Sequence, residues 1–234
     1  MLRRGFCLLF LVFPIFCLYT QEFIQGQHLY VLRGEVFVDL EPIYLGHVDE
    51  EYPLDIPTAG RRALEEAAMF YSAMIYGWSF LYDVGERARQ IEENLELTAL
   101  GTVEFGDPRL RVTDTQIRDN RFSVWTDYHL SDSQQNRVQS WSTGMIRNAQ
   151  AVGHGPFVID EYPGWFILKK SALEDAARVA LRTMLRSSER NRPKEVTGFI
   201  CLASFPRFYI ESGRWAVSAR FRVQITEIIP FLVH

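Results

Sequence analysis

Arg178, Arg182, Arg186 and Arg190 recur every four residues, a spacing that stacks four guanidinium groups along one face of an α-helix. Such a basic ridge suits an anionic partner: lipid headgroups, a cell-wall polymer or an acidic protein face. A helix C-terminus also favours cations, which offset its dipole, and Glu174 is placed to pair with Arg178 one turn away. The four arginines are therefore the candidate binding residues for an anionic partner. Four others, Arg109, Arg121, Arg207 and Arg214, occur at matching places in two halves of the chain. They either brace carboxylates between strands or line an anion site, and bracing is the simpler expectation.

Other reactive chemistry leaves little trace. None of the five histidines stands one helical turn from another, as a two-histidine metal site would require. His47-Val48-Asp49-Glu50-Glu51 is rich in ligand atoms but reads as a solvated acidic loop, and Gly153-His154-Gly155-Pro156 reads as turn chemistry. There is no phosphate-cradling glycine loop, no glycine-flanked nucleophilic serine and no CxxC pair. No catalytic, cofactor-binding or metal-binding residue is assigned, which disfavours an enzyme. A hydrolase whose site is assembled from dispersed residues would leave no signature and stays as an alternative.

The first twenty residues differ from the rest. Arg3 and Arg4 precede a nearly continuous apolar run from Phe6 to Leu18, the layout of a signal peptide over 1–20 and too short for the ~20 residues that cross a bilayer. A lipidated alternative would use Cys17. Loss of the leader would remove two of the 25 basic residues, leaving 23 against 29 acidic ones, a balance that disfavours nucleic acid. It would also leave Cys201 as the only thiol, within the apolar Phe199-Ile200-Cys201-Leu202, where it reads as a small buried hydrophobe. Export to a periplasmic or envelope-associated location is the expectation, with membrane contact only through the leader or headgroups.

Behind these residues lies an internal duplication. Glu51-Tyr52-Pro53 recurs as Glu161-Tyr162-Pro163, and Ala63-Leu64-Glu65-Glu66-Ala67-Ala68 as Ala172-Leu173-Glu174-Asp175-Ala176-Ala177. Glu96-Leu97-Thr98 matches Glu195-Val196-Thr197, Pro108-Arg109 matches Pro206-Arg207, and Arg121-Phe122-Ser123-Val124 matches Arg214-Trp215-Ala216-Val217. The matches keep their order, so the chain reads as two degenerate copies of one unit. The expected fold class is α+β: two tandem strand-helix-strand-strand modules, each a helix packed on an antiparallel, hairpin-containing sheet. The modules are placed at 21–130 and 156–234, with 131–155 a polar linker or loop.

Each module's elements follow from periodicity. In the first, a strand within Leu29 to Leu40 precedes a helix from about Thr58 to Asp83 and a hairpin turning at Asp119-Asn120. No charge interrupts the chain between Glu66 and Asp83, so this helix is apolar all round and must be covered on both sides. The stretch Leu64 to Leu81 is accordingly a candidate homo-oligomer contact. In the second module, Phe157 to Ile159 forms the strand and Ser171 with Glu174 makes a capping box. The helix ends before Pro193, and strands over Glu195–Ile210 and Arg214–Thr226 flank a turn at Glu211-Ser212-Gly213. Alternation along Trp215, Val217, Ala219, Phe221, Val223 and Ile225 implies one buried sheet face.

The strand-helix-strand-strand order with an Ala-Leu-Glu-Asp-Ala-Ala helix, over Ser171 to Thr226, resembles modules of exported bacterial lipoproteins and of flagellar assembly proteins of the T-ring type. The resemblance implies a scaffold or assembly role in the periplasm and brings no catalytic residue. The functional expectation is thus a non-catalytic periplasmic or envelope binding and assembly protein with an envelope protein or other anionic partner. The first alternative is a periplasmic ligand-binding module, whose mark would be an apolar pocket between the two copies with a few convergent polar groups.

Overall fold

The computed structural model describes residues 31–42, 52–85, 90, 92–142, 145–158, 162–188 and 193–230. The expected leader, the His47–Glu51 segment and Arg190 lie outside the described residues. In chain order the elements are β1 (Val31–Asp39), α1 (Ile56–Ile75), β2 (Trp78–Asp83), β3 (Asn94–Ala99), β4 (Leu110–Arg118), β5 (Arg121–His129), α2 (Asp132–Ser140), β6 (Arg147–His154), α3 (Trp165–Ser188), β7 (Pro193–Leu202), β8 (Arg207–Glu211) and β9 (Arg214–Pro230). The fold is α+β, with helices packed on antiparallel sheets.

The same plan recurs in both halves. In the first, β1 pairs antiparallel with β5, β5 pairs with β4, and α1 packs across β1 and β5. In the second, β6 pairs with β9, β9 pairs with β8, and α3 packs across β6 and β9. Each hairpin turns on two residues of positive φ, Asp119 and Asn120 at 52° and 59° and Ser212 and Gly213 at 51° and 76°. Turns of this kind match the right-handed twist of the strands they join. Phe122, Val124, Thr126 and Tyr128 are buried on β5, and of the alternating residues expected on β9 Trp215, Val217, Ala219, Phe221 and Val223 are buried and Ile225 is half-buried, while Ala216 on the opposite face is buried as well.

Four expectations are corrected. First, the apolar run does not continue as helix to Asp83. Gly77 takes a left-handed φ of 68°, its N–H donates to the Ser72 carbonyl at 3.2 Å, and the chain leaves as β2. A strand paired on both sides and a helix covered on both sides are each apolar throughout, so hydropathy did not separate them. Second, 131–155 is not a linker: it contains α2 and then β6, the second module's incoming strand. Phe157 and Val158, expected in that strand, have no regular structure. Third, α3 begins at Trp165, so Ser171 lies within the helix; a capping box is formed instead by Ser131 with Gln134, at the start of α2. Fourth, the Glu195–Ile210 run is two strands, β7 and β8, separated by residues 203–206.

The strand β6 was hidden because its inward residues are Ala149, Ala151 and Gly153. A Cβ on Gly153 would lie 2.1 Å from the Ala176 nitrogen and 2.4 Å from the Ala172 carbonyl, so the backbone of α3 rests directly on this strand. Glycine here serves close helix approach rather than a turn. The helix alanines Ala172, Ala176 and Ala180, each fully buried, serve the same contact from the other side.

The halves are joined by strand exchange. The strands β2 and β3 leave the first module and complete a six-stranded sheet of order β3-β2-β7-β9-β6, with β8 as the sixth strand paired to β9, against a three-stranded β1-β5-β4. In it β2 is flanked by the duplicated strands β3 and β7, Leu81 standing opposite both Glu96 and Thr197. This places α1 between the sheets, with β1 and β5 on one side and β7 on the other. Phe205, from the β7–β8 loop, wedges its ring over Gly34 of β1 and against Phe70 and Tyr71 of α1. The second apolar face of α1 thus lies against the chain's own second half. At the other end, the Trp141 indole and the Arg137 guanidinium donate to the Ile75 and Tyr76 carbonyls that end α1.

The contact under α3 is testable. Gly153→Ala is expected to destabilise the protein by about 2 kcal/mol or more, because the clash is with backbone and cannot be relieved by a side-chain rotation. Gly106→Ala, where φ is 86° but nothing lies within 4 Å, should cost only about 1 kcal/mol. Urea unfolding of the two variants measures the difference, and equal losses would refute the close approach.

Candidate functional site

The facing sides of α1 and α3 carry opposite kinds of residue in adjacent positions. On α1, Glu65 borders open space while Glu66 turns into the protein; on α3, Lys170 and Lys169 do the same. Two features result, a cavity and, beside it, a buried ion pair.

The cavity has a volume of about 520 Å³. Its apolar wall comes from Met69 of α1, Trp78 of β2, Leu97 of β3, and Phe166, Leu173 and Ala177 of α3. Small residues leave the space: Ala68, Ala73 and Ala177 stand where larger side chains would close it. The remaining wall is the segment 101–105, with Val103 directed inward and buried and Phe105 54% exposed at the mouth. This wall is held at its middle and again just past its end. The Ser72 hydroxyl accepts from the Val103 N–H at 2.7 Å and donates to the Ala68 carbonyl, tying the segment to α1. Just beyond it, Asp107 accepts two bonds from the Arg109 guanidinium and one from the Tyr128 hydroxyl. Gln134 of α2 bridges Arg109, Tyr128 and Tyr76. The Arg109 hydrogen bonds hold the Asp107 carboxyl down at about 2. The charged groups around the cavity are Glu65, Glu104, Lys170 and Glu174, with Lys170 and Glu174 3.8 Å apart on consecutive turns of α3.

The ion pair joins the halves. Lys169 Nζ lies 2.6 Å from Glu66 Oε2, and both side chains are almost entirely buried. The ammonium also sits among four rings, 4.7 Å from the centre of Trp215 and 5.4–5.9 Å from those of Phe208, Phe37 and Trp165. Aromatic faces carry negative potential and compensate part of the lost hydration. Burial raises the Glu66 carboxyl above its ordinary value, an effect that Lys169 opposes and Asp39 adds to. The enclosed space there is about 20 Å³, so this cluster is already filled by its own lysine.

The residues singled out by sequence fare differently. Arg182 pairs with Glu93, which also receives the Tyr82 hydroxyl, and Arg178 pairs with Asp175 at 3.1 Å. Arg186 is exposed. The ridge is therefore partly neutralised within the chain and is not an open row of four cations. Of the repeated arginines, Arg109 braces Asp107 and Arg121 braces Asp39 at 3.0 Å. Arg214 instead lies over the Phe157 ring and Arg207 is exposed, so bracing between strands holds for Arg121 alone of the four, the Arg109 contact being with a carboxylate two residues away. Burial pushes the Cys201 thiol up to about 12, in keeping with a core hydrophobe. The His154 ring contacts Glu211 at 2.6 Å, and the His154 backbone N–H donates to Asp175. Among the described residues no group of His, Cys, Asp or Glu is placed to hold a metal, and no helix is long and apolar enough to cross a membrane. The cavity residues and the Glu66–Lys169 pair were missed. Their one legible signal was a charge on the apolar stripe of each helix, and Lys169 fell before the expected start of α3.

A protein-family model matches residues 23–231. An uncharacterized protein of Treponema pallidum (strain Nichols) is 25% identical over 216 residues, which cover 92% of this chain and 87% of that relative. No solved structure matches.

The ion pair makes a sharp prediction. Glu66→Leu alone leaves a buried ammonium without its carboxylate and is expected to cost about 3–5 kcal/mol. The double variant Glu66→Leu/Lys169→Met should regain most of that loss, since two apolar groups of similar volume replace the pair. Denaturant titration separates the cases; a single variant as stable as the wild type would contradict the pairing.

Proposed function

The chain belongs to the family that this model describes, and we propose that it is an exported, non-catalytic ligand-binding module whose ligand enters the cavity between α1 and α3. The observation that carries this reading is the cavity itself. Its volume is in the ~300–1,000 Å³ range of small-molecule sites, its wall is mainly apolar, and a few polar groups line it. It lies between the two copies, since one wall comes from each helix. Both the pinned 101–105 segment and the Lys169–Glu66 bridge support a pocket that exists before any ligand arrives, which lowers the ordering cost of binding.

Trp78 in the wall provides a reporter. Nile red, a neutral apolar dye, should bind the purified protein saturably with a shift in tryptophan emission that Trp78→Phe removes. Ala177→Trp, which fills the cavity, should weaken binding at least about tenfold while circular dichroism stays native; Met69→Trp provides a second cavity-filling variant should the first not fold. Absence of saturable binding to the wild type would overturn the reading.

A second reading, an assembly role in the cell envelope of the kind that the T-ring resemblance implies, draws support from β4. This nine-residue edge strand is exposed on both faces and carries Val112 and Ile117 at 46% and 56% exposure, so it offers a free edge for strand addition. Crosslinking from position 117 in envelope extract should then capture a discrete partner that Val112→Lys/Ile117→Lys abolishes. Capture unaffected by that change would count against it.

A further inference from the structure

We infer that the ligand of the α1–α3 cavity is a cationic amphiphile: an apolar chain or ring system bearing an ammonium group. This rests on the cavity being a ligand site and adds the charge of its occupant. The inference comes from the balance of groups around an otherwise apolar space. Three carboxylates, Glu65, Glu104 and Glu174, face one ammonium, Lys170, and that ammonium lies 3.8 Å from Glu174. Two negative charges remain. Among the described residues Glu65 has no ion-pair partner, and the Glu104 carboxylate accepts the Thr102 hydroxyl at 2.6 Å, a neutral donor, and has no ion-pair partner. An anionic ligand would enter against this field, and a neutral one would leave it uncompensated; a cation completes it.

Aromatic rings strengthen the assignment. Phe105 follows Glu104 in the wall segment, so an uncompensated carboxylate has a ring next to it, and Phe166 of α3 lines the same space. Rings beside carboxylates are the combination that holds substituted ammonium groups, because the ring face attracts the cation without demanding a hydrogen bond from it. The chain already uses this chemistry internally, where four rings and Glu66 hold the Lys169 ammonium. The apolar wall of Met69, Trp78, Leu97 and Leu173 would take the hydrophobic body.

Isothermal titration of the full chain with three probes of equal chain length tests this: octyltrimethylammonium, 1-octanol and octanoate, all below micellar concentration. The expected order is cation, then alcohol, then carboxylate, with the advantage of the cation over the alcohol shrinking in 0.5 M sodium chloride. Glu65→Gln and Glu104→Gln should each weaken the cation by about two- to fivefold and leave octanol unchanged. If the three probes bind alike, or if the two glutamine variants bind the cation as well as the wild type does, the charge assignment is wrong while the cavity remains a ligand site. If none of the probes binds and Nile red also fails, the ligand-binding reading itself falls.

Discussion

A helix that is apolar on two opposite faces has to be covered on both, and in this protein that helix is α1. Its own module supplies one cover, the β1–β5 pair, onto which Ala59, Ala63, Ala67 and Tyr71 are buried. The other cover is β7 and the Phe205 wedge, both from the second module. Burial of apolar surface is the dominant favourable contribution to folding. Two modules that each left a helix half bare would therefore be poorly stable apart, and the exchange of β2 and β3 into the larger sheet follows from the same demand. The duplication persists as a plan, incoming strand, helix and hairpin, inside one continuous structure.

The site is a by-product of how the second helix meets the first. Because α3 presses its alanines onto Gly153 of β6, its position is set by backbone contact and cannot slide toward α1. The helices touch through Lys169 and Glu66, and beside that contact Ala68, Ala73 and Ala177 leave a gap unfilled. A buried pair of charges is an expensive way to join two helices when apolar residues would do. Its value here lies in geometry: a short, directional contact fixes the spacing at one point and so fixes the width of the cavity next to it. The polar network of Asp107, Arg109, Tyr128 and Gln134 does the equivalent for the 101–105 wall.

How much of this could be read from the residues in order differs by element. The hairpins were legible because Asp119-Asn120 and Ser212-Gly213 are turn residues between alternating strands, and that signal is local. The α3 register was legible through its alanines, although its start was not, since Trp165 and Phe166 carry no capping residue before them. The β6 strand was illegible because close packing replaced large apolar residues by Ala and Gly, which erases the hydropathy pattern that marks a strand. The end of α1 was illegible for the opposite reason: helix and strand on either side of Gly77 are equally apolar. The arginine ridge was legible as spacing, but its partners were not, since Glu93 lies 89 residues from Arg182.

The order of residues by itself determined the repeated unit, its α+β class, its two tight turns, the burial of Cys201 and the need of α1 for a second cover. Each of these depends on side-chain type and near-neighbour spacing. Only the tertiary structure decided what that cover was, which arginines were already paired, and that an apolar cavity with an acidic mouth lies between the copies. Those outcomes depend on which distant segments are brought within a few ångströms of each other, and no local pattern of residues carries that distance.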